Sequence, residues 1–202
     1  MRKFRYFLDC IDGQQKWLNK MAEKGYRLIG VDRLFYEFEK CDPSEYEYYV
    51  EFVGDKSYSE IKEYKNFIES LGLGAYTKNI NLNFSIEKGK WRPWAKLSGQ
   101  IATSPGGYNK ELLILEKRRD GKEFEVHTDL NNLIEYYYPI RNMYLFTSAL
   151  LAMLLMLNQF TETLLSKIFI GLIAVIALYL IMIAIKYLKI IKNYRKRSKI
   201  YE

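Results

Sequence analysis

Two long apolar segments near the end of the 202-residue chain constrain its fold more than any other feature. No charged residue occurs from Asn142 to Thr161, and none occurs from Ile168 to Ile185. Each segment approaches the roughly 20 residues that an α-helix needs to cross about 30 Å of hydrocarbon. Because only Asn158–Lys167 separate the segments, we predict an antiparallel hairpin of transmembrane helices at about 143–161 and 164–185.

The charges that flank this hairpin predict its orientation. Arg141 precedes the first segment, the connection holds only Glu162 and Lys167, and seven basic residues against one acid follow Ile185. Cytoplasmic flanks carry the excess of Lys and Arg, so we predict a multi-pass cell-membrane protein with both termini in the cytosol. The side chains predicted to contact anionic lipid are Lys186, Lys189, Lys192, Arg195, Lys196, Arg197 and Lys199.

We also predict specific positions or contacts for some residues of the hairpin. Tyr144 and Tyr187 lie where interfacial aromatic residues are common. Small residues such as Ser148 and Ala177 allow close helix approach, or a homodimer through the transmembrane helices. The alternative is a hairpin buried in a soluble protein, but the uninterrupted segments lack the polar face of a soluble helix.

The residues before the hairpin suffice for one folded domain. We therefore divide the chain into a head (1–138), the hairpin (139–185) and a basic tail (186–202). Met1–Asp12 contains charges throughout and lacks the sustained apolar region of a secretory signal peptide. A cytosolic head with reduced Cys10 and Cys41 is expected, although a disulfide between them is a possible alternative.

The head shows the same order of elements twice, which predicts an internal repeat of a strand–helix–strand–strand unit. Asp12 with Gln15 and Ser57 with Glu60 resemble helix capping boxes. Gly25 and Gly72 are natural helix ends. The first predicted unit contains strand Lys3–Leu8, helix Asp12–Lys24 and strands Tyr26–Val31 and Leu34–Lys40. The second contains strand Tyr46–Val53, a helix from Ser57 to Leu71 and strands Tyr76–Ile86 and Glu111–Lys117.

Two such units predict an α+β fold, with an antiparallel sheet that carries helices on one face, followed by the transmembrane hairpin. A ferredoxin-like strand order is the competing topology. Duplicated units of this kind also occur in small-molecule-binding domains, and that analogy operates at the level of fold alone.

The segment Glu87–Lys110 is the strongest candidate for a special role in the head. Loops of about 24 residues are uncommon between two strands, and this one combines basic and aromatic residues. It is a candidate for contact with a membrane or ligand, with nucleic acid less favoured; a packed excursion over the sheet is the structural alternative. The candidate contact residues are Trp91, Arg92, Trp94 and Tyr108, with Trp17 in support.

Tyrosines and glutamates on the strands permit a second kind of site. The chain has 18 tyrosines, which either pack the sheet or line a pocket between the repeats for an apolar or cationic ligand. Glu37, Glu39, Glu47 and Glu51 either offer carboxylates to such a ligand or form a solvated sheet face.

The sequence contains no pattern that argues for catalysis. His127 is the only histidine, so a catalytic triad or a histidine-based zinc site is not expected within one chain. The turn Ser104–Gly107 lacks the lysine and hydroxyl residue of a phosphate-binding loop. We therefore predict no catalytic residue, no metal and no cofactor.

Three motifs give the head a family resemblance. Trp17–Leu28 matches the pattern WLN-x-MA-x-x-G-[YW]-x-L, Phe38–Tyr48 matches F-E-x-C-x-P-x-E-Y-x-Y, and His127–Asp129 completes the set. With these motifs the chain, from about Arg5 to Asn142, resembles the bacterial domain of unknown function 2812 family. The resemblance implies C-terminal membrane helices and, because many members are encoded beside PadR-type repressors, a link to envelope or drug-response regulation. The chain departs from the family pattern at Leu73, where tryptophan is common, and in its longer Lys90–Tyr108 excursion.

These observations lead to three hypotheses for function. The leading one is a non-enzymatic, membrane-anchored cytosolic sensor or interaction module that binds a small amphipathic ligand or a membrane protein partner. The second is an accessory subunit of a membrane transporter complex. The third is an enzyme with an unrecognised site, which requires a polar cleft that the sequence does not reveal.

Overall fold

A computed structural model divides the chain into two compact units, Met1–Val126 and His127–Glu202. Each unit is considered separately below. The structure describes residues 1–54, 56–80, 84–86, 89–91, 101–102, 110–122, 124, 126, 130–157 and 163–201.

The first repeat builds a small antiparallel sheet. Its elements are β1 (Arg2–Phe4), α1 (Asp12–Glu23), β2 (Tyr26–Val31) and β3 (Phe35–Lys40). β3 lies in the centre, and β1 and β2 pair with its two edges. β1 is shorter than predicted because Phe7 leaves the strand and packs against Trp17 and Tyr36, with ring centroids 5.5 and 6.0 Å away.

The second repeat has the same topology. Its elements are β4 (Tyr46–Phe52), α2 (Tyr58–Ser70), β5 (Gly74–Lys78) and, after an insertion, β9 (Leu112–Arg118). β9 occupies the centre between β4 and β5, as β3 does between β1 and β2. The duplicated α+β architecture is therefore confirmed. The strands form one sheet for each repeat, where we expected a single sheet.

The insertion contains structure that the sequence analysis did not predict. Three short strands, β6 (Phe84–Ile86), β7 (Gly89–Trp91) and β8 (Ile101–Ala102), form a third antiparallel sheet in the order β6-β7-β8. The predicted strand Tyr76–Ile86 is wrong, because β5 ends at Lys78 and β6 pairs with β7 instead of β9. An alternating pattern identifies strand residues but does not identify their partner strand.

The ends of α1 and α2 show which of the predicted helix-capping signals are present in the structure. The capping box of α2 is confirmed: the Glu60 N–H donates to Ser57 Oγ over 3.3 Å, and the Ser57 N–H donates to Glu60 Oε2 over 2.6 Å. The predicted box of α1 is wrong, because Ile11 is the N-cap residue and no side chain caps that end. Gly25 and Gly72 follow their helices with positive φ, as predicted.

Gly25 also lies close to the backbone of Cys41. Its N–H donates to the Ala22 carbonyl and its carbonyl accepts from the Cys41 N–H. A β-carbon at this position would lie 2.7 Å from the Cys41 carbonyl oxygen. Both the left-handed conformation and this contact therefore require glycine.

Each helix of this unit covers the second sheet in a different way. α2 packs on one face, where Ile61 and Ile68 contact Val53, Leu113 and Leu115. α1 instead packs beside the edge strand β4. The Asn19 amide donates to the Tyr48 carbonyl and accepts from the Tyr48 N–H, both over 2.9 Å, and Gln15 Oε1 accepts from the Val50 N–H over 3.0 Å. Two helix side chains thus replace the missing neighbour strand of β4.

The second unit is a helical hairpin, as predicted. α3 spans Leu130–Leu157 and α4 spans Leu164–Tyr201, so the basic residues after Ile185 continue the second helix. Tyr137 stacks on Tyr187 and Tyr194, and Tyr144 stacks on Tyr187. Tyr144 and Tyr187 are fully buried, so these rings join the helices, whereas we expected them to face the membrane interface.

We predict that Asn19→Ala destabilises the N-terminal unit by about 2 kcal/mol, because it leaves two backbone groups of Tyr48 without their partner. Thermal unfolding of the full-length protein in maltoside micelles, followed by tryptophan fluorescence, measures the effect. The matched control is Asn66→Ala on the exposed surface of α2, which should be neutral or slightly stabilising. Equal effects of the two substitutions would contradict the edge-covering role.

Candidate functional site

The predicted contact residues of the long excursion fall largely outside the described part of the chain. Trp91 ends β7, and its side chain is not among those described; Arg92, Trp94 and Tyr108 lie outside the described residues. Their role stays a prediction. Trp17 lies on α1 and packs in the core against Phe7, Tyr36 and Phe38, with ring centroids 4.9–5.6 Å apart.

The four predicted glutamates do not converge on one site. Glu37 pairs with Arg2 over 3.8 Å, and Glu39 pairs with Arg27 over 3.4 Å. Glu47 pairs with Lys117 over 3.3 Å. The buried Glu51 accepts a hydrogen bond of 2.8 Å from the Tyr64 hydroxyl. Each carboxylate therefore has a partner inside the chain.

A different glutamate forms the most connected polar cluster between the repeats. Glu116 lies on β9 and is only 3% exposed. Its Oε1 accepts from Nε and Nη2 of Arg27 over 3.0 and 2.9 Å, and its Oε2 accepts from the Tyr48 hydroxyl over 2.9 Å. Charge-assisted bonds of this kind are about twice as strong as neutral ones. Glu116 thus links the second sheet to β2 of the first.

The tyrosines of this cluster complete the link through the backbone of Leu28. The Tyr48 hydroxyl accepts from the Leu28 N–H over 2.7 Å, and the Tyr76 hydroxyl donates to the Leu28 carbonyl over 2.8 Å. Burial, followed by the negative charge of Glu116, raises the pKa of Tyr48 and Tyr76. The hydrogen bonds that Arg27 donates to Glu116 raise the pKa of Arg27. The raised pKa values keep the Arg27 guanidinium charged and the Tyr48 and Tyr76 hydroxyls protonated at physiological pH.

An open cleft of about 590 Å³ lies beside this cluster and is lined by Arg27, Tyr46, Tyr76, Glu116 and Arg118, among others. The guanidinium carbons of Arg27 and Arg118 lie 4.5 and 5.9 Å from the centroid of the Tyr46 ring. A cationic ligand in a pocket between the repeats would need an aromatic face and a carboxylate. Arg27 already occupies both, so the cluster acts as a structural link between the repeats.

Lys78 is a buried cation in the same unit. It ends β5, is 3% exposed, donates to the Asn79 carbonyl over 3.2 Å and lies 5.6 Å from the centroid of the Tyr36 ring. Burial lowers the pKa of its ammonium group to about 8. The folded protein therefore releases this proton at a lower pH than an unfolded chain does.

The cysteines and acids of the described residues do not assemble into a metal site. No group of three or more His, Cys, Asp or Glu side chains there has the arrangement needed to hold a metal ion. Cys10 is buried and Cys41 is half-buried, and they do not form a disulfide with each other. His127 lies outside the described residues.

The hairpin presents an extensive apolar surface. Its candidate membrane spans are Asn132–Leu157 and Ser166–Ser198, and only 28% and 22% of their most apolar windows are buried. Both helices are long and apolar enough to cross a membrane. The large side chains that remain at least half exposed are Met153, Met156, Leu157, Leu164, Ile168, Phe169, Leu172, Val175, Leu178 and Met182.

The predicted membrane-surface cations lie on the last turns of α4. Tyr187 and Ile191 are buried, whereas most of the cations around them are exposed. Arg195 donates to the Tyr138 hydroxyl of α3, and Lys186 is half-buried. Lys199 lies on the helix, with its side chain outside the described set. The exposed cations are Lys189, Lys192, Arg195, Lys196 and Arg197.

The sequence analysis missed the cluster around Glu116, although one signal was present. Glu116 directly follows the apolar run Leu112–Leu115 on a central strand. A carboxylate in such a strand needs a partner because an unpaired buried charge is costly. The alternation of β4 places Tyr48 among the buried residues, but the sequence does not reveal that Arg27 lies within reach.

Comparison with known proteins supports the family resemblance. A family model described as "Protein of unknown function (DUF2812)" matches residues 10–149. The matched region contains both motifs that build the link, Trp17–Leu28 and Phe38–Tyr48. Searches of curated proteins and of solved structures gave no match.

Loss of the Tyr48 hydroxyl should weaken the link. Tyr48→Phe leaves the Leu28 N–H and Glu116 Oε2 without a partner, so we expect a destabilisation of about 2–3 kcal/mol. The same substitution at Tyr58, which is 62% exposed, is the matched control and should change the stability little. Thermal unfolding measures both, and a neutral Tyr48→Phe variant would show that the hydroxyl bonds are dispensable.

Lys78 predicts a specific dependence of stability on pH. Between its folded pKa of about 8 and its usual value near 10.4, the folded state binds fewer protons, so raising the pH favours folding. Relative to Lys78→Met, the wild-type protein should gain about 2 kcal/mol between pH 7 and pH 9.5. Unfolding at both pH values tests this, and a constant difference would mean that Lys78 titrates normally.

Proposed function

The chain belongs to the DUF2812 family of proteins of unknown function, and from its own structure we propose that it is a membrane-anchored cytosolic sensor or interaction module. The observation that carries this proposal is the apolar surface of α3 and α4. Helices of this composition in a water-soluble protein bury one face against a core. Here less than a third of the apolar window of each helix is buried, and the hydrocarbon of a bilayer accounts for the apolar surface that remains.

The charges of the hairpin support an orientation with both termini in the cytosol. The exposed cations of α4 follow its apolar segment directly, and Arg141 lies at the corresponding level of α3. The opposite end carries Lys167 as the single cation of the connection. By the positive-inside rule, the cationic end faces the cytosol, and the N-terminal unit is on the same side.

Exposed apolar side chains on the N-terminal unit support the interaction role. The link around Glu116 is satisfied within the chain, so a partner must use another surface. Phe4 and Ile29 of the first sheet are 63% and 50% exposed. Exposed apolar side chains of this kind also favour the second candidate, an accessory subunit of a membrane transporter complex. A stoichiometric membrane protein that co-purifies in mild detergent would support that candidate.

The regulatory part of the proposal comes from the family resemblance. Association with PadR-type repressors implies that the module contributes to envelope or drug-response regulation. Deletion of the gene should then change the expression of a neighbouring repressor's targets when cells meet a membrane-active compound. An unchanged transcript profile would restrict the proposal to membrane anchoring and partner binding.

Cysteine labelling tests the anchor and its orientation. In a Cys41→Ser background, where the remaining Cys10 is 2% exposed, single variants Lys167→Cys and Lys196→Cys are treated with an impermeant maleimide on spheroplasts. We expect Lys167→Cys to react and Lys196→Cys to react only after permeabilisation. Reaction of Lys196→Cys in intact spheroplasts would show that the orientation is the opposite of the proposed one. Release of the protein from membranes by alkaline carbonate would contradict the transmembrane anchor.

A further inference from the structure

A second pocket of the N-terminal unit has a different charge pattern from the cleft at Glu116. It has a volume of about 440 Å³ and lies between α2 and the sheet. α2 contributes Tyr58, Ile61, Lys62, Lys65 and Asn66; Thr77 of β5 and Lys110, which precedes β9, complete its lining.

Three of these lining residues are lysines, and none of the described residues that line the pocket is a carboxylate. The cleft at Glu116 instead contains both signs of charge, with Arg27 paired to Glu116. Of the three lysines, Lys65 pairs with Glu69 over 3.4 Å, and both side chains are more than a third exposed. A pair this exposed contributes little. The described residues place no carboxylate within ion-pair distance of Lys62 or Lys110.

The spacing of the residues on α2 explains why several of them line the same pocket. Tyr58, Lys62 and Asn66 follow one another at intervals of four residues, and Lys65 follows Lys62 at an interval of three. Residues at these intervals share one face of a helix. Lys110 approaches the same pocket from outside the helix. Lys62 and Lys110 are like charges with no carboxylate within ion-pair distance among the described residues, and an anion bound in the pocket would offset the repulsion between them.

The rest of the lining suits an apolar group attached to the anion. Ile61 is buried beneath the pocket and Tyr58 is largely exposed. The hydroxyls of Tyr58 and Thr77 and the amide of Asn66 add hydrogen-bond donors beside the lysines. Pockets of 300–1,000 Å³ with an apolar floor and a few polar groups accommodate small organic molecules.

We propose that this α2 pocket binds a small amphipathic anion, with a phosphate or carboxylate group held by Lys62, Lys65 and Lys110 and an apolar group placed against Ile61 and Tyr58. The proposal deepens the sensor role and rests on it for its biological meaning. Its chemistry is independent of how the hairpin lies in the membrane. The same anionic chemistry is found in soluble metabolites and in the headgroups of anionic lipids.

Binding of phenyl phosphate to the full-length protein in maltoside micelles tests the pocket. The affinity is measured from the ³¹P shift of phenyl phosphate. The triple variant Lys62→Gln, Lys65→Gln, Lys110→Gln should weaken binding at least tenfold, because each charged hydrogen bond is worth roughly tenfold or more. The control variant Lys16→Gln, Lys20→Gln, Lys24→Gln removes three exposed charges elsewhere and should change the affinity less than twofold. Inorganic phosphate should bind more weakly than phenyl phosphate.

Lysine acetylation followed by mass spectrometry identifies the site and the source of the anion. Phenyl phosphate should protect the three pocket lysines but not Lys20. Protection of the same lysines in phosphatidylglycerol nanodiscs, but not in phosphatidylcholine nanodiscs, would assign the anion to a lipid. Equal losses of affinity in the two triple variants, or absence of protection by both anions, would overturn the proposal. If the pocket variant unfolds, the single variants Lys62→Gln and Lys110→Gln replace it, and either should weaken binding several-fold.

Discussion

One buried carboxylate joins the two repeats of the N-terminal unit. Glu116 is almost completely removed from water, and its two oxygens accept from Arg27 on β2 and Tyr48 on β4. Loss of Arg27, whose side chain is 36% exposed, would leave the buried Glu116 carboxylate without its charged partner. The relative position of the two sheets therefore depends on these bonds as well as on apolar packing.

The family motifs acquire a physical meaning from this arrangement. In Trp17-Leu18-Asn19, the first two residues fill the core and the third covers the open edge of β4. Gly25 permits the turn beside Cys41. At the other ends of the two motifs, the Leu28 N–H and the Tyr48 hydroxyl meet directly. These motif residues thus contribute to holding the fold together.

Local signals in the sequence predicted most helices and strands correctly. They did not predict which distant strands or side chains pair with one another. The strand Tyr26–Val31, the capping box of α2, both helix-ending glycines and the helical hairpin all follow from neighbouring residues. The insertion strands and the link at Glu116 depend on pairings between distant residues. Arg27 and Glu116 are 89 positions apart, and no periodicity or composition identifies such a pair.

The candidate binding surfaces also differ in whether neighbouring residues or the fold reveal them. The excursion with Trp91 was visible as an unusual segment, whereas the lysine pocket was not. Lys62 and Lys65 resemble the ordinary solvated face of an amphipathic helix. Only the fold places Lys110 and Thr77 opposite them, and it is this third cation that distinguishes a pocket from a charged helix surface.

The length of α4 has a geometric consequence for the cell. Its 38 residues extend about 57 Å at 1.5 Å per residue, nearly twice the thickness of the hydrocarbon layer. In the proposed orientation, with Ile168–Ile185 in that layer, the remaining turns would rise roughly 24 Å into the cytoplasm. Screening in physiological salt acts over about 8 Å. The lipid headgroups would therefore interact mainly with the first of the lysines and arginines that follow Ile185. In that orientation the outermost charges would lie beyond the lipid headgroups, and the bond from Arg195 to the Tyr138 hydroxyl would hold this end of α4 against α3.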